Sequence, residues 1–155
     1  DKYGWVDIGS SFLPSEIIAA FLYAQLENLD DIQDKRKKIW QYYNDALSSL
    51  SASELIRLPF IPGYATNNAH MFYLLCRSLD ERTRLIAYLK SKGITAVFHY
   101  QSLHKSPYFK NSHSGHELPV CDRFADTLVR LPFYYELSEN DTACITETIR
   151  DFFKQ

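Results

Sequence analysis

Hydrophobic and polar positions fall into stretches whose spacing changes from helical to strand-like along the chain. From Pro14 the pattern is helical: a proline suited to a first turn, then Glu16, then Ile17, Ile18, Phe21, Leu22, Leu26 and Leu29. Apolar residues surround most of this segment, so it is expected to be buried on several sides. Asp30 and Asp31 mark a break and a restart. The next segment sets Ile32, Arg36, Ile39, Tyr43, Ala46 or Leu47, and Leu50 at three- and four-residue steps. Asp34, Lys35, Lys37 and Lys38 occupy its other face, which predicts an amphipathic helix with one buried stripe and a solvated charged side.

Residues 51–69 read as loop, punctuated by Pro59, Pro62 and Gly63. Residues 70–76 are a short apolar strand. Asp80 is placed to cap a helix running to Lys92, with Leu85, Ile86 and Leu89 inward and Gly93 as its stop. Residues 94–98 form a second strand, followed by a long polar loop over 101–118; loops beyond about 12 residues are usually functional or disordered. Pro119 opens a short helix through Leu128, residues 129–131 form a third strand, and Ser138 with Asp141 resembles a capping box for a last helix through Phe153. This order implies an α+β domain, a small sheet covered by helices.

Composition narrows the class further. A chain of 155 residues suits one domain, burying roughly 70% of its unfolded surface. Hydrophobic residues at 46% argue against disorder. The aromatic excess, with eleven Tyr and ten Phe, serves either a large core or an interface. A net charge of -2 gives no footing for nucleic acid or an anionic membrane surface. No run of about 18 apolar residues is present, so no spanning helix is expected, and no signal-peptide pattern opens the sequence. Cys76, Cys121 and Cys144 are odd in number and widely spaced, which fits a reducing cytoplasm and buried thiols.

Four groups of residues offer chemistry. His113, His116 and Cys121 are three potential metal ligands, a weak match to zinc sites that use four in tighter pairs. Cys76 lies in an apolar strand, where a thiol is inert, and neither Cys121 nor Cys144 has an activating partner in sequence; no Gly-x-Ser-x-Gly elbow occurs. Gly9, Ser10, Ser11 and Ser15 precede a helix N-terminus, the parts of a phosphate cradle, although a serine there is more often a plain cap. The loop after Phe98 holds His99, Tyr100, His104 and Tyr108. Its histidines could hydrogen-bond a sugar or phosphate and its tyrosines could stack, while one histidine of such a pair is commonly packed against a backbone carbonyl.

Four ordered blocks carry a resemblance: residues 2–27, with Glu16 to Ala20 and Ala24 to Glu27; residues 68–73; residues 93–108, with His99, Tyr100, Leu103, His104, Pro107 and Tyr108; and residues 131–138, with Leu131 to Tyr134. Together they resemble the C-terminal part of the PLP-dependent sugar-nucleotide aminotransferases of the DegT/DnrJ/StrS type, from about Tyr3 to Phe153. The resemblance implies a fold-type-I enzyme in which a larger N-terminal domain holds pyridoxal 5'-phosphate on a lysine and a homodimer shares the active site. It implies that Ser10 and Ser11 lie near the neighbouring subunit's cofactor phosphate, Ser11 standing where the family has Asn. It also implies that His99, Tyr100 and His104, with Tyr3 and Trp5, face the sugar nucleotide. Leu13 and Pro14 replace the family's Arg-Met, and Ser102 replaces its Pro before Leu-His.

The family's Schiff-base lysine lies upstream of the matching part, and Lys2 is a poor substitute. Residues 1–155 are therefore expected to be the C-terminal domain, with helices over 14–50 leading into it, and without the PLP-lysine domain. Such a piece holds no catalytic residue, binds no PLP alone and is inactive. The whole protein would move an amino group from glutamate to the C4 keto group of a dTDP-linked 4-keto-6-deoxy sugar in the cytoplasm. The alternative from another class is a non-catalytic α+β binding or oligomerisation module.

Overall fold

The computed structural model describes residues 5–7, 9, 12–109, 112 and 115–154. Ser15 begins helix α1 (Glu16–Leu26), its Oγ accepting the Ile18 N–H at 3.4 Å. The helix stops before Asn28, whose side-chain amide donates back to the Ala24 carbonyl at 3.0 Å. The break thus falls at Asn28 rather than at Asp30 and Asp31. Those two carboxylates lie instead in the first turn of helix α2 (Leu29–Ala52), where the positive helix end favours them. Helix α2 buries Ile39, Trp40, Tyr43 and Leu47, the expected stripe widened by Trp40.

Helix α1 corrects the sequence reading. None of its residues is buried, and Ile17 and Phe21 are 79% and 73% exposed. A helix apolar nearly all round is expected to be covered, yet every residue of α1 is exposed.

Strand β1 (Tyr73–Leu75) precedes helix α3 (Leu79–Ser91) and strand β2 (Val97–Phe98). Ser78, not Asp80, caps α3: its backbone is extended and its Oγ accepts the Glu81 N–H at 3.1 Å. Asp80, already inside the first turn, pairs with Arg84 at 2.8 Å. Gly93 takes a φ of +78°, the left-handed stop that a glycine tolerates. A 3-10 turn (Leu103–Lys105) interrupts the long loop, and then come helix α4 (Pro119–Thr127), strand β3 (Leu128–Arg130) and helix α5 (Glu139–Phe153).

The strands make one antiparallel sheet in the order β1-β3-β2, with Leu74 opposite Val129 and Phe98 also opposite Val129. Regular pairing is shorter than the apolar runs suggest, although Leu131 N–H to Phe72 O and Cys76 N–H to Thr127 O continue the ladder at its two ends. Leu74 and Val129 are fully buried, so one face of the sheet joins the core with Tyr43, Leu47, Phe72, Leu85, Leu89 and Ile149. Phe72 is its aromatic centre, 5.4 Å from the Trp40 ring and 5.2 Å from the Tyr43 ring; such pairs add about 0.5–1.5 kcal/mol beyond area burial. The Tyr43 hydroxyl donates to Pro132 O at 3.0 Å, satisfying its only polar group.

Helix α5 opens on the expected capping box: Ser138 Oγ accepts from Asp141 N–H and Asp141 accepts from Ser138 N–H. Arg150 donates to the Ala46 carbonyl and ties α5 to α2. The cysteines split. Cys76 is buried, with its thiol pKa pushed up to about 12 by burial, whereas Cys121 and Cys144 are exposed. The expectation of buried thiols fails for those two, which remain open to solvent on α4 and α5. Among the described residues no helix is long and apolar enough to cross a membrane.

Candidate functional site

Strand β2 ends at Phe98, and the chain leaves the sheet with His99 and Tyr100. The His99 ring meets Tyr100 edge-on at 4.6 Å, and the Tyr100 ring lies 6.1 Å from Trp5. Trp5 reaches the site because its carbonyl accepts the Tyr108 N–H at 2.9 Å, fixing the start of the chain along the loop. Together with Phe124, Cys121 and Leu128, these rings line a cavity of about 350 Å³. Trp5, His99 and Tyr100 are thus brought together from two distant stretches.

His99 gives this cavity its chemistry. Its Nδ1 is buried and has no hydrogen-bond partner among the described residues. Burial, and then the charges of Arg130 and His70, hold its pKa below the ordinary imidazole value. The ring is therefore neutral at pH 7 and can both donate and accept a hydrogen bond. Aromatic walls with one such ring suit a sugar or a planar ring that carries hydroxyl or phosphate oxygens.

His104 takes a different position. Its side chain is 10% exposed, it is not among the cavity's lining residues, and its Nε2 lies 3.4 Å from Asp122 Oδ1 on helix α4. Lys105 Nζ donates to Asp122 Oδ2 at 2.8 Å. The Lys105 ammonium, followed by the Ser102 hydroxyl, holds the Asp122 carboxyl below the usual carboxylate range; the same pairing raises Lys105. The His104 ring is thus packed, with its Nε2 facing a carboxylate. Asp122 and Phe124 escaped sequence reasoning, because nothing local in helix α4 announces that it folds against residues twenty positions earlier.

Ser10, Ser11 and Tyr3 lie outside the described residues, as does His113. The described part of the supposed phosphate cradle behaves more plainly: Ser15 serves as an N-cap, and nothing lies within 4 Å of a Cβ built on Gly9. Among the described residues, no three His, Cys, Asp or Glu side chains converge on a metal site.

The DegT/DnrJ/EryC1/StrS aminotransferase family model matches residues 1–150, and the chain belongs to that family. It is similar to a DegT DnrJ EryC1 StrS aminotransferase from Brucella abortus, at 28% identity and a TM-score of 0.75, over 88% of this chain and 35% of that one. Similarity of fold alone extends to the aminotransferase from Psychrobacter cryohalolentis, at 19% identity and a TM-score of 0.82, over 96% of this chain and 41% of that one. It extends also to NtdA from Bacillus subtilis with bound cofactor PMP, at 20% identity and a TM-score of 0.69, over 78% of this chain and 28% of that one. The fold is that of fold-type-I PLP aminotransferases, of whose length this chain spans between 28% and 41% in these examples.

The described residues do not fit the covalent anchor that PLP requires. Such a lysine is shielded and has a depressed pKa. No described lysine is buried: Lys35 is half-buried and Lys38 and Lys90 are exposed, Lys105 is ion-paired and raised, Lys37 and Lys154 pair with exposed aspartates, and Lys92 rests over the Tyr88 ring at the surface.

Proposed function

We propose that this chain is the C-terminal domain of a PLP-dependent sugar-nucleotide aminotransferase, joined in the whole protein to a domain that carries the cofactor lysine. The whole protein moves an amino group from glutamate to the C4 keto group of a dTDP-linked 4-keto-6-deoxy sugar. The stretches 7–11, 69–73 and 96–100 favour a dTDP-4-amino-4,6-dideoxygalactose transaminase, an enzyme of cell-surface polysaccharide precursor synthesis. The observation that carries the reading is the cavity of Trp5, His99 and Tyr100, in a member of this family whose described lysines do not fit a cofactor anchor.

In this reading Tyr100 and Trp5 pack on the sugar nucleotide and the neutral His99 hydrogen-bonds one of its oxygens, with Tyr3 and His104 on the same side. Ser10 and Ser11 stand near the cofactor phosphate of a second subunit in a homodimer. The apolar face of α1 supports this, since it offers Ile17, Phe21 and Leu22 to another domain or subunit. The setting is cytoplasmic.

The test uses the full-length protein with PLP, amino-labelled glutamate and a panel of dTDP-linked 4-keto-6-deoxy sugars. Labelled nitrogen is expected at C4 of one product. Failure to aminate any sugar of the panel overturns the reading. In the active protein, Tyr100→Ala is expected to raise KM for the sugar about tenfold, the loss of one stacked aromatic contact.

A further inference from the structure

A single carboxylate gathers the turn that forms one wall of the cavity. Asp122, in the first turn of α4, is reached by Lys105 Nζ at 2.8 Å, by the Ser102 hydroxyl, and by His104 Nε2 at 3.4 Å. These three residues belong to one stretch of four, 102–105. Ser102 is 8% exposed and also accepts from Cys121 Sγ at 3.7 Å, so α4 holds it twice. Gln101, Ser102 and Leu103 line the cavity beside His99 and Tyr100.

We propose that Asp122 is the positioning residue of the substrate wall: it clamps the 102–105 turn onto α4 and thereby sets the place of His99 and Tyr100, without touching the substrate itself. The physical reason is the arrangement of charge. An ammonium and a hydroxyl from one turn converge on one carboxylate that is itself 15% exposed, where charge-assisted bonds are stronger than in open solvent. The His104 ring packs beside this clamp, its Nε2 3.4 Å from Asp122 Oδ1. Within the turn itself, Lys105 N–H donates to Ser102 O at 3.1 Å and Ser106 N–H to Leu103 O at 3.0 Å. The consequence for substrate binding rests on the aminotransferase reading; the clamp does not.

The experiment takes the full-length protein and its Asp122→Asn and Asp122→Glu variants. Asparagine preserves the shape and removes the charge, while glutamate keeps the charge. Hydrogen exchange followed by mass spectrometry should show residues 102–109 exchanging about tenfold faster in Asp122→Asn, with peptides from α3 and α5 unchanged. Steady-state kinetics with a dTDP-linked 4-keto-6-deoxy sugar and glutamate should show KM for the sugar raised about tenfold and kcat altered less than about threefold. Asp122→Glu should recover much of both effects. A general loss of protection across the domain, or unchanged exchange in 102–109, overturns the clamp. Faster local exchange with unchanged KM overturns the positioning role. If the unsubstituted protein aminates no sugar nucleotide, the aminotransferase reading fails, and the exchange data still decide whether the clamp exists.

Discussion

Moving the imidazole of His99 out of water, beside Arg130, makes protonation harder in the folded chain than in the unfolded one. The sign follows directly. The unfolded chain takes up the proton first as acid is added, so the stability His99 contributes is complete above its ordinary value of 6.5 and is lost as pH falls below it toward the lower folded value. Urea midpoints should therefore drop between about pH 7 and pH 5, and His99→Gln should make that drop shallower; an unchanged slope contradicts the assigned environment. A second residue-scale outcome concerns the thiols. Native protein treated with iodoacetamide should be alkylated at Cys121 and Cys144 and spared at Cys76, whose burial suppresses the thiolate. Native labelling of Cys76 would contradict its placement in the core. Sequence identified the loop histidines as chemistry but could not separate them, because the separation depends on Asp122, a contact across the fold.

Elements were legible where their signals are local. Proline opens α4, the Ser138–Asp141 box opens α5 and Gly93 follows α3, and each feature is fixed within four residues of chain. Ser138→Ala should lower unfolding free energy by about 1 kcal/mol in a denaturant titration, the usual worth of an N-cap side chain. A change near zero would mean that packing of Ile145 and Ile149 alone sustains the helix. Where two local rules competed, the sequence reading went astray. Ser78 and Asp80 are both capping types, and backbone extension at Ser78 decided between them. Strand ends were overextended, since apolar runs report burial and the ladder of three short strands is set by their partners.

For the whole molecule, the apolar pattern of α1 was legible and its burial was not. The pattern reports that something covers the helix, while the described residues leave it bare. The chain purified by itself should self-associate in sedimentation velocity, and Ile17→Ser with Phe21→Ser should return it to a monomer with an unchanged melting temperature, since neither side chain belongs to the core. A fall in melting temperature would mean that α1 packs on this domain after all. The same division runs through the proposed activity, in which these residues would supply a wall, a neutral imidazole and a clamp while the group that bonds the cofactor would come from elsewhere in the protein. Nitrogen transfer from labelled glutamate to a dTDP-linked 4-keto-6-deoxy sugar, measured side by side for the 155-residue chain and the full-length protein with PLP, tests that division most directly. Labelled amino sugar should form with the full-length protein alone; its formation by the isolated chain would contradict the account.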